Sequence, residues 1–141
     1  MRRLFALALA LPCPALACGI CVEDQVAATY DHAVVARAEA SGHRVLYAAV
    51  HGRNAGAPRS DATLRRAIAS VAGADRNSIR LSALPPAASF AWNPRRSGAG
   101  AMLRAINDRL AGTGLTLVAL RTFGDHDTER LKHAAKKSAR G

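Results

Sequence analysis

The sequence predicts an α+β domain in which two helices cover one face of a four-stranded antiparallel sheet, and three observations predict it. Residues 45–50 (VLYAAV) and 115–121 (LTLVALR) are short apolar runs rich in strand formers, set off by Gly42, Gly52 and Gly112. Ile79, Leu81 and Ala83 alternate with Arg80 and Ser82, and Phe90 and Trp92 share one face of the next run. With Pro85-Pro86 between them, those two runs read as an antiparallel hairpin. Leu64, Ala67, Ile68 and Val71, and later Leu103, Ile106 and Leu110, recur at helical spacing.

Taken in order, residues 52–59 hold Gly, Asn and Pro and read as a loop. Ser60 is placed to cap a helix that runs to Val71 and is closed by Gly73. Pro94 stops the strand that carries Phe90 and Trp92. A further helix spans 98–111, and Gly112 ends it. The resulting order, strand-helix-strand-strand-helix-strand over residues 45–121, is the ferredoxin-like βαββαβ arrangement. Upstream, residues 22–40 read as one added N-terminal helix, with Val22, Val26, Tyr30, Ala33 and Val34 at spacings of three and four. Glu23 and Asp24 suit its first turn, where negative charge meets the positive end of the helix dipole. Ser41-Gly42 ends it. It is expected over the open face of the sheet or against an edge. Residues 122–141 form a polar tail with no core-like spacing beyond Leu131.

The first 17 residues predict export. Arg2 and Arg3 precede an apolar run at residues 4–11, Pro12 and Pro14 break it, and Ala15-Leu16-Ala17 places small residues at −3 and −1 of a cut before Cys18. That order is a secretory signal peptide, and the run is too short to span a bilayer. Removing 17 of 141 residues leaves 124, enough for one domain and one core. The expected location is the periplasm or another exported compartment, with no transmembrane segment. Lipoprotein anchoring through Cys18 is the alternative, although lipoprotein sites favour Leu at −3 and here Leu16 stands at −2.

The mature charge is 18 Lys+Arg less 10 Asp+Glu, or +8. The basic residues look scattered along the chain, with one cluster at Lys136-Lys137, and read as solvated surface, with an anionic membrane surface or an acidic partner as the alternative; export argues against a nucleic-acid partner.

Residues 45–121 resemble a heavy-metal-associated domain, the small fold of copper chaperones and metal-pump modules. The resemblance rests on Leu64-Arg65-Arg66-Ala67-Ile68 running into Val71-Ala72-Gly73-Ala74-Asp75, on the strand at 78–82, on Phe90-Ala91-Trp92-Asn93-Pro94, and on Leu103-Arg104-Ala105-Ile106-Asn107. It implies a ferredoxin-like fold and metal handling. One departure stands out. The family's Cys-x-x-Cys lies between the first strand and first helix, where this chain has His51-Gly52-Arg53-Asn54-Ala55-Gly56-Ala57-Pro58-Arg59.

The chain carries its own Cys-x-x-Cys upstream, Cys18-Gly19-Ile20-Cys21. After loss of Cys13 with the signal, these are its two thiols. Three chemistries fit the pair: thiolate ligation of copper(I) or zinc, a redox disulfide, and a structural link or lipid anchor. A new N-terminus at Cys18 adds an α-amine as a further donor. Glu23 and Asp24 oppose thiolate formation and so weigh against the redox reading. Asp24 and Gln25, at i+3 and i+4 from Cys21, can reach a metal bound there. His32, 11 residues beyond Cys21 and about 16 Å away along a continuous helix, cannot. His51 ends the first strand beside the loop used by the resembled family. It is the fold-derived candidate for a further ligand, against the plainer reading of a strand-end histidine. Asp125-His126-Asp127, Glu129 and His133 read as solvated tail. No Ser-His-Asp order, phosphate loop or paired carboxylate stands out, so the chain does not read as an enzyme. The expected function is a small exported soft-metal carrier using Cys18, Cys21, Asp24 and His51. Its expected partner is another exported metal-handling or redox protein. A thiol-disulfide partner and a metal-free interaction module are the alternatives.

Overall fold

The computed structural model describes residues 21–124. Residues 1–17, where the sequence predicts a signal peptide, Cys18 and the tail residues Asp125, His126, Asp127, Glu129 and His133 lie outside that range. Two short helices, α1 (Val22–Thr29) and α2 (His32–Ala40), precede β1 (Arg44–His51). Then come α3 (Ser60–Ala69), a 3-10 turn (Arg76–Ser78), β2 (Arg80–Ala83), β3 (Pro86–Trp92), α4 (Ala99–Leu110) and β4 (Thr116–Phe123). The strands form one antiparallel sheet in the order β2-β3-β1-β4. That order fits the ferredoxin-like βαββαβ fold expected from the sequence.

The β2–β3 hairpin pairs Arg80 with Ser89 and closes at Ala83 with Pro86. One apolar cluster lies between the sheet and α3/α4, built on Leu46, Ile68, Phe90, Trp92, Ile106 and Leu110. A second lies on the opposite face, where Val26, Val34 and Ala38 of α1 and α2 meet Val45, Tyr47 and Ala91. Residues 45–50 of β1 are therefore buried on both faces, which explains a continuous apolar run in place of an alternation.

Four details differ from the sequence reading. The single helix at 22–40 is two. The chain is extended at Tyr30 (ψ 129°) and Asp31 (ψ 110°), and the Asp31 carboxylate accepts from the Ala33 and Val34 amides at 2.9 and 3.2 Å. Asp31 is thus a helix N-cap, a side-chain signal that overrides continuity of the apolar period. Ser60 does not cap α3: Arg59 holds the N-cap position, and Ser60, buried, donates its hydroxyl to the Asn54 carbonyl. α3 ends at Ala69, short of Val71. β4 runs two residues beyond Arg121, because the Phe123 ring packs edge-on against Tyr47 at 5.3 Å.

Candidate functional site

Cys21 sits at the N-cap of α1, exposed and with a free thiol. Its carbonyl accepts from the Gln25 amide at 3.2 Å, so the backbone at Cys21 is part of the helix start. α1 is pinned to the sheet along its length. Glu23 pairs with Arg121 of β4 through both carboxylate oxygens. The Gln25 side chain donates to the Pro86 carbonyl at 3.2 Å. Val26 is buried, and the Thr29 carbonyl accepts from the buried Ser89 hydroxyl at 2.8 Å. The helix crosses the sheet from β4 to β3, presenting Cys21 at its outer end.

Of the residues expected beside that thiol, Asp24 is exposed on the first turn of α1. Gln25 is spent on Pro86 and is not the free donor the spacing suggested. His51 is exposed at the end of β1, paired with Thr116. Among the described residues no three His, Cys, Asp or Glu side chains stand close enough to share an ion, so Cys21, Asp24 and His51 do not converge. His32 opens α2, its Nδ1 3.5 Å from the Tyr30 hydroxyl. The break at Tyr30 removes the continuous-helix spacing between Cys21 and His32.

The loop where the resembled family holds its cysteines borders a cleft of about 410 Å³. Asn54, Pro58, Arg59, Thr63, Thr113 and Leu115 are among the residues that line it, and no thiol, imidazole or carboxylate among the described residues does. A soft cation has no donor there. Asn54 ties this loop to the α4–β4 turn by donating to the Thr113 carbonyl at 3.1 Å.

A second polar feature lies under the α1–α2 junction. Asp31 receives the Arg80 guanidinium at 2.8 Å. That bond, with the Val34 and Ala33 amides, holds the Asp31 carboxyl below its ordinary range against a smaller opposing effect of burial. Tyr47 is buried nearby, and its hydroxyl has no hydrogen-bond partner among the described residues. Burial, with smaller contributions from Tyr30 and Asp31, pushes Tyr47 up to about 12. Between its ordinary value of 10.0 and about 12 the folded protein keeps a proton that the unfolded chain loses. Stability therefore falls as pH rises through that window. Tyr47→Phe keeps the ring contact with Phe123 and removes the orphaned hydroxyl. It is expected to stabilise the fold by about 1 kcal/mol at neutral pH and to flatten the alkaline loss. Denaturant titrations at neutral and alkaline pH check both; a clear destabilisation by Tyr47→Phe would mean that the hydroxyl has a partner.

No family model, curated protein or solved structure matches the chain.

Proposed function

We propose that the protein is an exported, non-enzymatic carrier of a soft metal ion, copper(I) or zinc, bound by Cys18 and Cys21. The observation that supports this reading is the placement of Cys21: an exposed thiol at the outer end of a helix that is itself fixed to the sheet. A carrier must take up and release its ion, so its ligands need to be reachable, and thiolates two residues apart suit a soft ion. Asp24, one turn along and exposed, is the carboxylate placed to add an oxygen donor, because the nearer Glu23 is paired with Arg121. The likeness of residues 45–121 to heavy-metal-associated domains favours the same reading, with the Cys-x-x-Cys lying upstream of β1 in sequence in place of that family's loop.

The test is competition for copper(I) or zinc against a chelator of known affinity, under reducing conditions. Cys21→Ser is expected to weaken binding at least about tenfold, because a neutral hydroxyl is a poor ligand for a soft ion. His51→Ala and His32→Ala are expected to leave it nearly unchanged, since no three His, Cys, Asp or Glu side chains stand together among the described residues. Equal affinity of wild type and Cys21→Ser would overturn the carrier reading. Reversible oxidation of the pair without metal uptake would favour the thiol-disulfide alternative instead.

A further inference from the structure

The basic residues look scattered in the sequence, but the fold sorts them. Residues 21–43, the α1–α2 layer, carry Arg37 against Glu23, Asp24, Asp31 and Glu39, a net of 1 − 4 = −3. Residues 44–124 carry 12 arginines against Asp61, Asp75 and Asp108, a net of 12 − 3 = +9. Two of those arginines, Arg80 and Arg121, are taken by Asp31 and Glu23 across the layers. The side of the sheet covered by α3 and α4 keeps the rest of its charge unneutralised. Arg59, Arg66, Arg104 and Arg109 are all exposed on or at the end of these two helices, and none forms an ion pair within the described residues. Arg53, Arg76, Arg95 and Arg96 extend the same sign around the ends of the helices.

We infer that this α3/α4 face binds an anionic phospholipid surface through its arginines. The two helices pack side by side over the sheet and offer a broad face. Guanidinium groups pair well with phosphate oxygens, and each basic group near an anionic bilayer adds to attraction. The chemistry of the face favours lipid over a protein or nucleic acid. The large apolar side chains exposed in the described residues are Val22, Tyr30, Leu84 and Val118, and none lies on α3 or α4. A stable protein interface is built around an apolar centre, which this face lacks. Binding of unpaired nucleic acid uses aromatic platforms, and this face exposes none. With α3/α4 against the bilayer, α1 and Cys21 lie on the opposite side of the sheet, turned away from the lipid. This inference does not depend on the metal reading.

The experiment is co-sedimentation of residues 18–141, the expected mature chain, with vesicles of phosphatidylcholine alone, or with about 30 mol% phosphatidylglycerol. Wild type is expected to partition at least about tenfold more strongly onto the anionic vesicles, and to lose that excess between about 50 and 500 mM NaCl. Replacing Arg59, Arg66, Arg104 and Arg109 together by Gln is expected to remove at least about tenfold of the binding. Replacing the same four by Lys is expected to retain most of it. The Lys variant separates loss of charge from loss of fold, since both substitutions remove the same guanidinium contacts. Equal binding to both vesicle types, or wild-type binding by a folded Gln variant, would overturn the inference. So would tighter binding to a short DNA duplex than to the anionic vesicles at one physiological salt concentration, which would assign the face to nucleic acid.

Discussion

Trp92→Ala is expected to lower the unfolding free energy by about 3–5 kcal/mol. Trp92 is 2 % exposed and is the largest of the fully buried side chains, in the cluster shared by the sheet, α3 and α4. Truncation removes the indole from contact with that cluster and leaves a cavity that helices packed on a sheet close only in part. It also removes a bond: the indole Nε1 donates to the Ser97 carbonyl at 3.0 Å and fixes the β3–α4 connection. Trp92→Phe keeps most of the apolar volume and loses that bond, so about 1–2 kcal/mol is expected from it. For a domain of this size the alanine variant should melt at least about 12 °C lower. Thermal and denaturant unfolding of the three proteins measures the ordering. A near-neutral Trp92→Ala would mean that the indole is not core.

The residues that made the fold legible were those whose pattern and burial agree. Phe90 and Trp92 alternate with small residues and do face one cluster. Ile106 and Leu110 repeat at helical spacing and are fully buried. Of Pro85-Pro86, Pro85 stands in the hairpin turn, whereas Pro86 opens β3 and pairs with Ala83. Where the reading slipped, a local polar group outweighed the apolar period. Val22, Val26, Tyr30 and Val34 keep helical spacing across a break that the Asp31 carboxylate creates by bonding Ala33 and Val34. Asp before an apolar segment is an N-cap signature, so the sequence held the signal. Ser60 shows the reverse: a residue type suited to capping was drawn to the Asn54 carbonyl instead. Of the candidate site, only the exposure of Cys21 and Asp24 at the start of a helix could be anticipated. Whether His51 approaches them depends on how α1 crosses the sheet, and that is set by long-range contacts such as Glu23 with Arg121, 98 residues apart. The sorting of arginines to one side was hidden for the same reason, since charge adjacency arises only once the layers form.

Gly52→Ala is expected to be the most damaging change among the glycines, costing about 3–4 kcal/mol. Gly52 follows His51 at the exit of β1 with φ at +121°, a backbone conformation that side chains oppose. Space is the larger obstacle. A Cβ at Gly52 would lie 1.9 Å from the Gly114 carbonyl oxygen and 2.9 Å from its carbon. Both are backbone atoms of the turn that leads into β4, so no side chain can swing aside. Relief requires the end of β1 to part from the start of β4, next to the His51–Thr116 pair. The Asn54 bond to Thr113, which joins the same two loops, would be strained with it. Gly42→Ala is the internal control: its φ is also positive, at +67°, but nothing lies within 4 Å of the added carbon. That substitution carries only the left-handed backbone cost of about 1–2 kcal/mol. Denaturant unfolding of the two variants separates clash from conformation, and amide exchange should show the added opening at Leu115 and Leu117 in Gly52→Ala alone. If the two alanine variants lose equal stability, the close approach of Gly52 to Gly114 is not what holds the end of β1 against β4.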